Sequence, residues 1–360
     1  MKILMTGGGT AGHVTPNIAL IPKLMKEGYE ISYIGTENGM EKELITNEGI
    51  KYYSISAGKL RRYLSIENLT DIAKIGKGFF ESSKHIRDIK PDVVFSKGGF
   101  VSCPVVWAAW FHKIPTVIHE SDLTPGLANK LSIPFAKKVC YAFPETAKYL
   151  PVEKSELSGI PVREKMLRGS KRNGLKKCNF TSDKPVILII GGSLGSQAIN
   201  NIIRDSLDEL LKQYQVCHIC GKGSIDENLN NISGYMQFEY VSDELKDLFA
   251  MSDIVISRAG ATTLYELLNL AKPNILIPLP KAVSRGDQIL NAFFFRKEGY
   301  SEVLQEEDIT KEKLISSIDN VLKNKQQYIN AMKSSNIRDS ISTVVSIIDK
   351  ERKAKDKKKK

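Results

Sequence analysis

Two stretches of the sequence join a short apolar run to a glycine-rich loop and then to a segment with helical spacing. In the first, apolar residues 3–5 lead into residues 7–16, which read Gly-Gly-Gly-Thr-Ala-Gly-His-Val-Thr-Pro. In the second, residues 185–190 lead into a loop at residues 191–197. Glycine allows the backbone to approach a ligand closely, and a helix N-terminus attracts anions. The repeated arrangement predicts an α/β protein of two Rossmann-like domains in tandem, with a ligand site in the cleft between them.

Apolar runs that alternate with helical stretches predict two parallel sheets covered by helices. The predicted strands are residues 2–5, 30–34, 92–96, 116–119 and 138–141 in the first half, and 185–190, 215–220, 237–240, 254–257 and 274–278 in the second. We expect an N-terminal domain over residues 1–160, a C-terminal domain over 161–335, a helix at 336–349 that packs back on the N-terminal domain, and a disordered lysine-rich tail at 350–360.

The net charge of +11 is concentrated at the end of the chain. Residues 350–360 contain eight basic and two acidic residues, so this segment alone supplies +6 of the charge. A nucleic-acid-binding protein more often spreads its basic residues over a folded face, and no nucleic-acid partner is expected. The lysine run is typical of a solvated tail, with contact to anionic lipid as the alternative.

Targeting and redox signals are weak in this sequence. Only three apolar residues follow Lys2 before the glycines, and no apolar stretch reaches the ~20 residues that span a bilayer. Cys217 and Cys220 form a C-x-x-C pair inside a strand-like run, which favours buried strand residues over a metal or redox site. The pattern indicates a cytoplasmic protein with reduced thiols.

Polar residues follow several predicted strands, where functional loops begin in such sheets. In the first half these loops are residues 97–102, a second glycine-rich turn, and residues 119–126. His119 and Glu120 directly follow a strand, so they are expected to support the loops rather than perform the chemistry.

The second half contributes a polar edge of its own. Arg258 and small residues precede a predicted helix whose open N-terminus suits a phosphate. Glu266 lies on that helix, where it could accept hydrogen bonds from sugar hydroxyls or compensate the helix dipole. Gln288 and Asn291 fall on one face of another helix and could bind hydroxyl groups.

The sequence also indicates whether a diphosphate would be bound through a metal ion or by the protein itself. The sequence contains no D-x-D triplet of the kind that bridges a metal to a diphosphate. Arg163, Arg258 and helix N-termini could neutralise a diphosphate directly. We therefore predict nucleotide-sugar chemistry without a metal or other cofactor.

Residues 59–89 combine basic residues with apolar residues at helical spacing. A helix docked on the sheet accounts for most of them. The adjacent Phe79 and Phe80 cannot both face one core, and Lys74 and Lys77 lie nearby, so one aromatic side chain could meet a bilayer or a lipid substrate.

Seven motifs occur in one order: GGGTAGHVTP, GGFVS, HESDLTPGLANK, GIPVR, GGSLGS, SRAGATTLYE and GDQILNA. Together they resemble the peptidoglycan enzymes of glycosyltransferase family 28, from residue 1 to about residue 291 and more weakly to residue 349. The resemblance implies the two-domain GT-B fold. It also implies an inverting transfer of GlcNAc from UDP-GlcNAc to the C4 hydroxyl of MurNAc in undecaprenyl-diphosphate-MurNAc-pentapeptide (lipid I), at the cytoplasmic face of the membrane, where a peripheral protein meets an anionic surface.

The resemblance also implies roles for individual residues. His13 takes the position of the general base or of an essential acceptor-side residue. The residues implied in binding UDP-GlcNAc are Thr10, Ala11 and Gly12 at the sugar, Arg163 and Ser193 near the diphosphate, Glu266 on the ribose, Gln288 and Asn291 on GlcNAc hydroxyls, and Asp122. The sequence departs from the family pattern at Phe100 and Asp122, where the family often has Tyr and Asn. Asp122 can still accept a hydrogen bond, whereas Phe100 has no hydroxyl group.

Histidine changes its charge near neutral pH, which agrees with the role of a base. Three alternatives remain from the residues themselves. The first is another GT-B enzyme, such as a UDP-GlcNAc 2-epimerase or a glycolipid synthase. The second is an NAD-dependent oxidoreductase, because GGGTAG with Glu37 matches the dinucleotide fingerprint. The third is a non-catalytic basic protein that binds through its tail.

Overall fold

The computed structural model describes residues 1–58, 66–192 and 195–357. Ser193 and the basic residues that open the 59–89 stretch lie outside the described residues. The chain forms two compact units, which we call unit 1 (Met1–Arg163 with Ile337–Lys360) and unit 2 (Glu164–Asn336).

Unit 1 contains a seven-stranded parallel sheet in the order β3-β2-β1-β4-β5-β6-β7. Its strands are β1 (Lys2–Thr6), β2 (Glu30–Thr36), β3 (Lys51–Ile55), β4 (Val93–Ser96), β5 (Thr116–Glu120), β6 (Lys138–Tyr141) and β7 (Ser155–Leu157). Its first helices are α1 (Ala11–Lys26), α2 (Met40–Thr46), α3 (Ile66–Ile89), α4 (Ser102–Phe111) and α5 (Leu127–Ser132).

Unit 2 contains a six-stranded parallel sheet in the order β10-β9-β8-β11-β12-β13. Its strands are β8 (Val186–Ile190), β9 (Gln215–Ile219), β10 (Tyr235–Phe238), β11 (Ile254–Ser257), β12 (Asn274–Leu276) and β13 (Glu302–Val303). Its helices are α6 (Lys171–Cys178), α7 (Gln197–Asp205), α8 (Leu207–Gln213), α9 (Leu245–Met251), α10 (Ala261–Leu270), α11 (Asp287–Lys297), α12 (Lys311–Lys323) and α13 (Lys325–Lys333). Short 3-10 helices lie at Ile133–Phe135, Pro144–Tyr149, Val152–Lys154, Glu164–Arg168, Glu227–Leu229 and Glu306–Asp308.

The central strands are apolar on both faces because helices cover both sides of each sheet. Ile3, Leu4 and Met5 on β1 are completely buried. The two parallel α/β units confirm the predicted fold class. The strands that the sequence did not predict are β3, β7 and β13, which are polar or very short and lie at or near sheet edges.

The last described helix, α14 (Ser340–Lys357), belongs to unit 1. Val344, Val345, Ile347 and Ile348 are buried in the same apolar cluster as residues of β1. The helix continues to Lys357, so the described part of the lysine-rich segment is helical rather than the disordered tail that we predicted. Asp349 forms ion pairs with Arg352 and Lys353 one turn further along, which favours the helical conformation. None of the described helices is long and apolar enough to cross a bilayer.

Candidate functional site

Each sheet has one point where the strand order reverses, and ligands of open α/β sheets bind at the carboxyl ends of the strands at that point. In unit 1 the reversal lies between β1 and β4, and in unit 2 it lies between β8 and β11. We call the loops after β1, β4 and β5 (residues 7–13, 97–101 and 121–126) the unit 1 site. We call the described loops and helix starts after β8, β11 and β12 (residues 191–192, 195–197, 258–266 and 277–291) the unit 2 site.

His13 lies in the first turn of α1, directly after the glycine loop. Its Nδ1 is 3.2 Å from the carbonyl oxygen of Lys97 in the second glycine-rich turn. Because a carbonyl oxygen can only accept, Nδ1 carries the proton, and a neutral ring then has its lone pair on Nε2. Thr10 precedes α1 and makes no capping bond with its hydroxyl, and Ala11 and Gly12 are the first residues of the helix.

The buried carboxylate of Glu41 fastens the first glycine loop. Glu41 accepts hydrogen bonds from the backbone N–H of Gly9 (3.2 Å) and Thr36 (3.0 Å) and from the Thr36 hydroxyl (2.6 Å). This loop was expected to present its N–H groups to an anionic ligand, but Glu41 already provides the anion for Gly9. No local pattern indicates this role, because α1, β2 and the start of α2 lie between Gly9 and Glu41.

The two glycine-rich turns of unit 1 pack directly on each other. Gly99 has a φ of 87°, and a Cβ atom at this position would collide with the carbonyl oxygen of Gly8. Lys97, just before the turn, is 1% exposed and donates from Nζ to the hydroxyl of Ser121. Burial lowers the pKa of Lys97 to about 8, against the opposing effect of the Glu120 and Asp122 carboxylates.

His119 and Glu120 are buried in β5 and hold the loop that follows it. Glu120 accepts from the backbone N–H groups of Asp122 and Gly126 (both 2.9 Å) and from the side chain of Asn129 (2.8 Å). His119 donates from Nε2 to the Gly159 carbonyl (2.7 Å), and burial together with the Lys97 charge holds the pKa of His119 well below its usual range. These contacts are those of the supporting pair that the sequence favoured.

In unit 2, Arg258 is buried at the end of β11 and bonded to the protein itself. Its guanidinium donates to the carbonyl oxygens of Ile277 (3.1 Å) and Pro278 (3.2 Å) and to the hydroxyl of Ser196 (2.6 Å), and it pairs with Glu306. We expected Arg258 to neutralise a diphosphate. Because Glu306 balances its charge, Arg258 instead joins the loops of the unit 2 site.

The start of α10 gives the unit 2 site an open helix N-terminus. Gly260 precedes the helix and provides no side-chain cap, so the first N–H groups suit a phosphate. Glu266 is buried on the same helix.

Helix α11 adds two amide side chains to this edge. The amide oxygen of Gln288 accepts from the backbone N–H of Leu279 (3.1 Å), so any donation to a ligand comes from its NH2 group. Asn291 is completely buried, whereas Gln288 is half-buried.

The remaining predicted residues are divided between the units. Asp122 is half-buried in the unit 1 site, next to Glu120. Arg163 is half-buried and is the last residue of the first segment of unit 1. The structure thus groups Thr10–His13 with Asp122 in unit 1, and Glu266 with Gln288 in unit 2.

A groove of about 650 Å³ adjoins the unit 1 site. Its lining includes Gly8, Gly9, Glu37, Lys77 and Phe100. Glu37 directly follows β2, where a dinucleotide-binding enzyme carries its ribose-binding acid. The residue on which the oxidoreductase alternative rests thus lines this groove.

Cys217 and Cys220 are buried thiols, as predicted. In the described parts of the chain, no three His, Cys, Asp or Glu side chains are grouped so that they could hold a metal ion.

An exposed aromatic cluster lies on α3 and α4. Phe80 is 73% exposed, Phe111 63% and Trp110 56%. The ring of Phe79 lies between Phe80 and Phe111, with centroid distances of 5.6 and 6.1 Å. The exposed lysines Lys77 and Lys84 are on the same helix as Phe80. We call Phe80, Trp110 and Phe111 the aromatic patch.

Two parallel-sheet α/β units, each with polar loops at its switch point, are the architecture of the GT-B class of glycosyltransferases, and comparison with known proteins gives the family. Residues 3–141 match the glycosyltransferase family 28 N-terminal domain, and residues 186–350 match its C-terminal domain. The chain belongs to glycosyltransferase family 28.

Individual proteins of known function or structure are similar to this chain over nearly its whole length. The chain is 57% identical over 349 residues to the UDP-N-acetylglucosamine--N-acetylmuramyl-(pentapeptide) pyrophosphoryl-undecaprenol N-acetylglucosamine transferase of Clostridium perfringens, covering 97% of this chain and 98% of that protein. The crystal structure of Acinetobacter baumannii MurG is 27% identical with a TM-score of 0.74, and the match covers 97% of this chain and 99% of that one.

A likeness to an epimerase is confined to the fold. The UDP-GlcNAc 2-epimerase of Neisseria meningitidis, solved with UDP-GlcNAc bound, has a TM-score of 0.68 at 16% identity, over 96% of this chain and 99% of that one. Because both halves of the chain match a family of glycosyltransferases, the oxidoreductase and the non-catalytic alternatives are rejected.

Proposed function

We propose that this protein transfers GlcNAc from UDP-GlcNAc to the C4 hydroxyl of MurNAc in lipid I, which gives lipid II. The observation that carries the proposal is the 57% identity, over nearly the whole chain, to a transferase named for this reaction. The two polar sites at the switch points of two parallel sheets are consistent with one donor and one acceptor.

His13 is the proposed general base. The acceptor oxygen attacks C1 of GlcNAc while the bond from C1 to the UDP oxygen breaks, so the anomeric centre inverts in one displacement. The hydroxyl proton passes to Nε2 of His13, the ring nitrogen that holds the lone pair when Nδ1 donates to Lys97. Thr10, Ala11 and Gly12 contact the donor sugar, and Asp122 accepts a hydrogen bond from a substrate hydroxyl.

Unit 2 is the proposed donor site. The departing UDP gains negative charge on its diphosphate, which the N-terminus of α10 stabilises together with Arg163 and Ser193. Glu266 accepts from the ribose hydroxyls, and the NH2 group of Gln288 donates to GlcNAc. In this proposal no step needs a metal ion.

The test is transfer of labelled GlcNAc from UDP-GlcNAc to a short-chain lipid I analogue, with and without EDTA. We expect a disaccharide product at equal rates in both samples. Hydrolysis or epimerisation of UDP-GlcNAc without transfer would point to the other GT-B chemistry. Loss of transfer with EDTA, restored by a divalent ion, would contradict the metal-free mechanism only.

We further propose that unit 1 binds the anionic cytoplasmic face of the cell membrane as a peripheral protein. The aromatic patch exposes three large rings, and Lys77, Lys84 and Lys113 are exposed on or next to the two helices that carry it. Aromatic rings favour the bilayer interface, and each nearby lysine adds about 1 kcal/mol at an anionic surface.

Vesicle sedimentation tests this localisation. We expect Phe80→Ser with Phe111→Ser to weaken binding to vesicles that contain phosphatidylglycerol. Val283→Ser is the matched control, because Val283 is 73% exposed, as Phe80 is, but belongs to unit 2. Equal binding by the patch variant and the wild type would reject the patch as the membrane contact.

A further inference from the structure

Lys97 is the residue at which three loops of the unit 1 site meet. Its backbone N–H donates to the carbonyl of Thr6 (2.9 Å), the last residue of β1. Its carbonyl oxygen accepts from Nδ1 of His13, and its Nζ donates to Ser121 in the loop after β5.

A fully buried lysine side chain is expensive in an α/β core, because an ammonium ion loses its hydration. An apolar side chain of the same length, such as methionine, would fill this position without that loss. The groups that face Lys97 are the carboxylates of Glu120 and Asp122, the ring of His119 and the thiol of Cys140. Burial lowers the pKa of His119 and raises the pKa of Cys140, so it favours the neutral form of both side chains. The carboxylates offset part of the loss, yet Glu120 already accepts three hydrogen bonds without Lys97.

We therefore attribute to the ammonium group of Lys97 the role of connecting two loops, and not that of neutralising Glu120. Among the residues that the structure describes, the side chain of Lys97 donates one hydrogen bond to the loop after β5, and the acceptor is the hydroxyl of Ser121. That bond fixes the start of the glycine-rich turn, and the same residue presents the carbonyl that sets the proton on Nδ1 of His13.

We propose that Lys97 is a positioning residue for His13: its bond to Ser121 holds the Lys97 carbonyl where it orients the imidazole and selects the tautomer with a basic Nε2. This inference rests on the proposed role of His13. We expect Lys97 to act on the chemical step rather than on UDP binding, because its contacts are with His13 and with the loop after β5.

Lys97→Met tests the inference, with the exposed Lys176→Met as the matched control. We expect Lys97→Met to lower kcat by about 10- to 100-fold, which is the usual consequence of a misplaced catalytic group. The Kd for UDP, measured by calorimetry, should stay within about 2-fold of that of the wild type, which is a difference of about 0.4 kcal/mol. An unchanged kcat, or an equal loss in kcat and in UDP affinity, would overturn the proposal.

Variants of Ser121 keep the test decisive if Lys97→Met folds poorly. Ser121→Ala removes the acceptor and should lower kcat as Lys97→Met does, and the double variant should be no worse than either single one. Ser121→Thr retains a hydroxyl and should restore the rate. Independent, multiplicative losses in the double variant would show that the two side chains do not act through their shared bond.

A cycle with His13→Ala separates this inference from the proposed function. If Lys97 acts through His13, then Lys97→Met has little further effect on the residual single-turnover rate of His13→Ala. An equal loss in both backgrounds would refute the positioning role while leaving His13 as the base. A fully active His13→Ala would instead refute the proposed role of His13 itself.

Discussion

The buried side chain of Lys97 should make the free energy of unfolding of unit 1 rise as the pH becomes alkaline. Its folded-state pKa is lowered from 10.5 to about 8, so between these values the unfolded chain binds a proton that the folded protein has lost. The contribution of Lys97 to stability is therefore present above pH 10.5 and is lost as the pH falls through 8. From pH 7 to 10, the free energy of unfolding of the wild type should rise relative to that of Lys97→Met, by on the order of 1–3 kcal/mol.

Tryptophan fluorescence during urea unfolding measures this difference and reports on unit 1, the unit that contains Lys97. The chain has two tryptophans, and both Trp107 and Trp110 lie on α4 of unit 1. Comparison of the two proteins at each pH cancels the titration of all other groups. A difference that is constant with pH would contradict the lowered pKa of Lys97.

Glu266 offers a second prediction at a single residue, on the donor side. If its carboxylate accepts from the ribose, the wild type should bind UDP about 10-fold or more tightly than 2′-deoxy-UDP, because the analogue lacks a hydroxyl group that donates to this carboxylate. Glu266→Ala should bind both nucleotides weakly and nearly equally. Competitive inhibition constants measure this, and equal discrimination in both proteins would place Glu266 away from the ribose.

The sequence predicted the local motif that carries His13, whereas contacts between residues far apart in the chain could not be predicted from it. His13 follows a recognisable strand, loop and helix. By contrast, Glu41 binds Gly9 across 32 residues, and Arg258 pairs with Glu306 from a later helix. No local pattern reports such a pair, so the predicted roles of the Gly9 loop and of Arg258 had to be corrected.

At the scale of elements, the close packing of the two glycine-rich turns predicts an asymmetric response to alanine. Gly99 and Gly49 both have positive φ angles, of 87° and 72°, but only at Gly99 would the added Cβ meet another backbone. Gly49→Ala should destabilise the protein by about 1 kcal/mol, the usual effect of the conformation alone. Gly99→Ala should lose more stability and most of its transferase activity.

Urea unfolding and the GlcNAc transfer assay, applied to both variants, distinguish the two effects. Similar stability and activity in the two variants would mean that the turns are free to separate. Such an outcome would also weaken the argument that the second turn positions His13.

The strands were predicted from their apolar runs, and all ten predictions overlap an observed strand. Central strands are buried on both faces, so their sequences carry a continuous signal. An edge strand such as β3, which reads Lys-Tyr-Tyr-Ser-Ile, is paired on one side only and contains polar residues. The hydrogen bonds to β2 make this segment a strand, although its sequence has no continuous apolar run.

At the scale of the whole molecule, α14 makes unit 1 depend on residues that follow unit 2. Four of its aliphatic side chains are buried against the β1 core, and each contributes about 1.5–3 kcal/mol. Their sum is comparable to the stability of an ordinary domain. A variant that ends at Asn336 should therefore leave unit 1 unfolded at 25 °C.

A second variant that ends at Lys355 retains the buried face of α14 and serves as the control. Its tryptophan unfolding curve should resemble that of the full chain. Cooperative unfolding of unit 1 in the shorter variant would show that α14 only covers a core that is already complete. The sequence analysis expected a helix at residues 336–349 that packs back on the N-terminal domain, and the structure has α14 at Ser340–Lys357 in unit 1.

The return of the chain to unit 1 also determines the order in which the protein can fold while it is made. Residues 1–163 leave the ribosome first, but the helix that completes their core follows only after the 173 residues of Glu164–Asn336. At ~5–20 residues per second, this interval lasts roughly 9 to 35 seconds. Unit 2 is continuous in the chain and can fold as it emerges, while the apolar surface that α14 will cover stays open to chaperones.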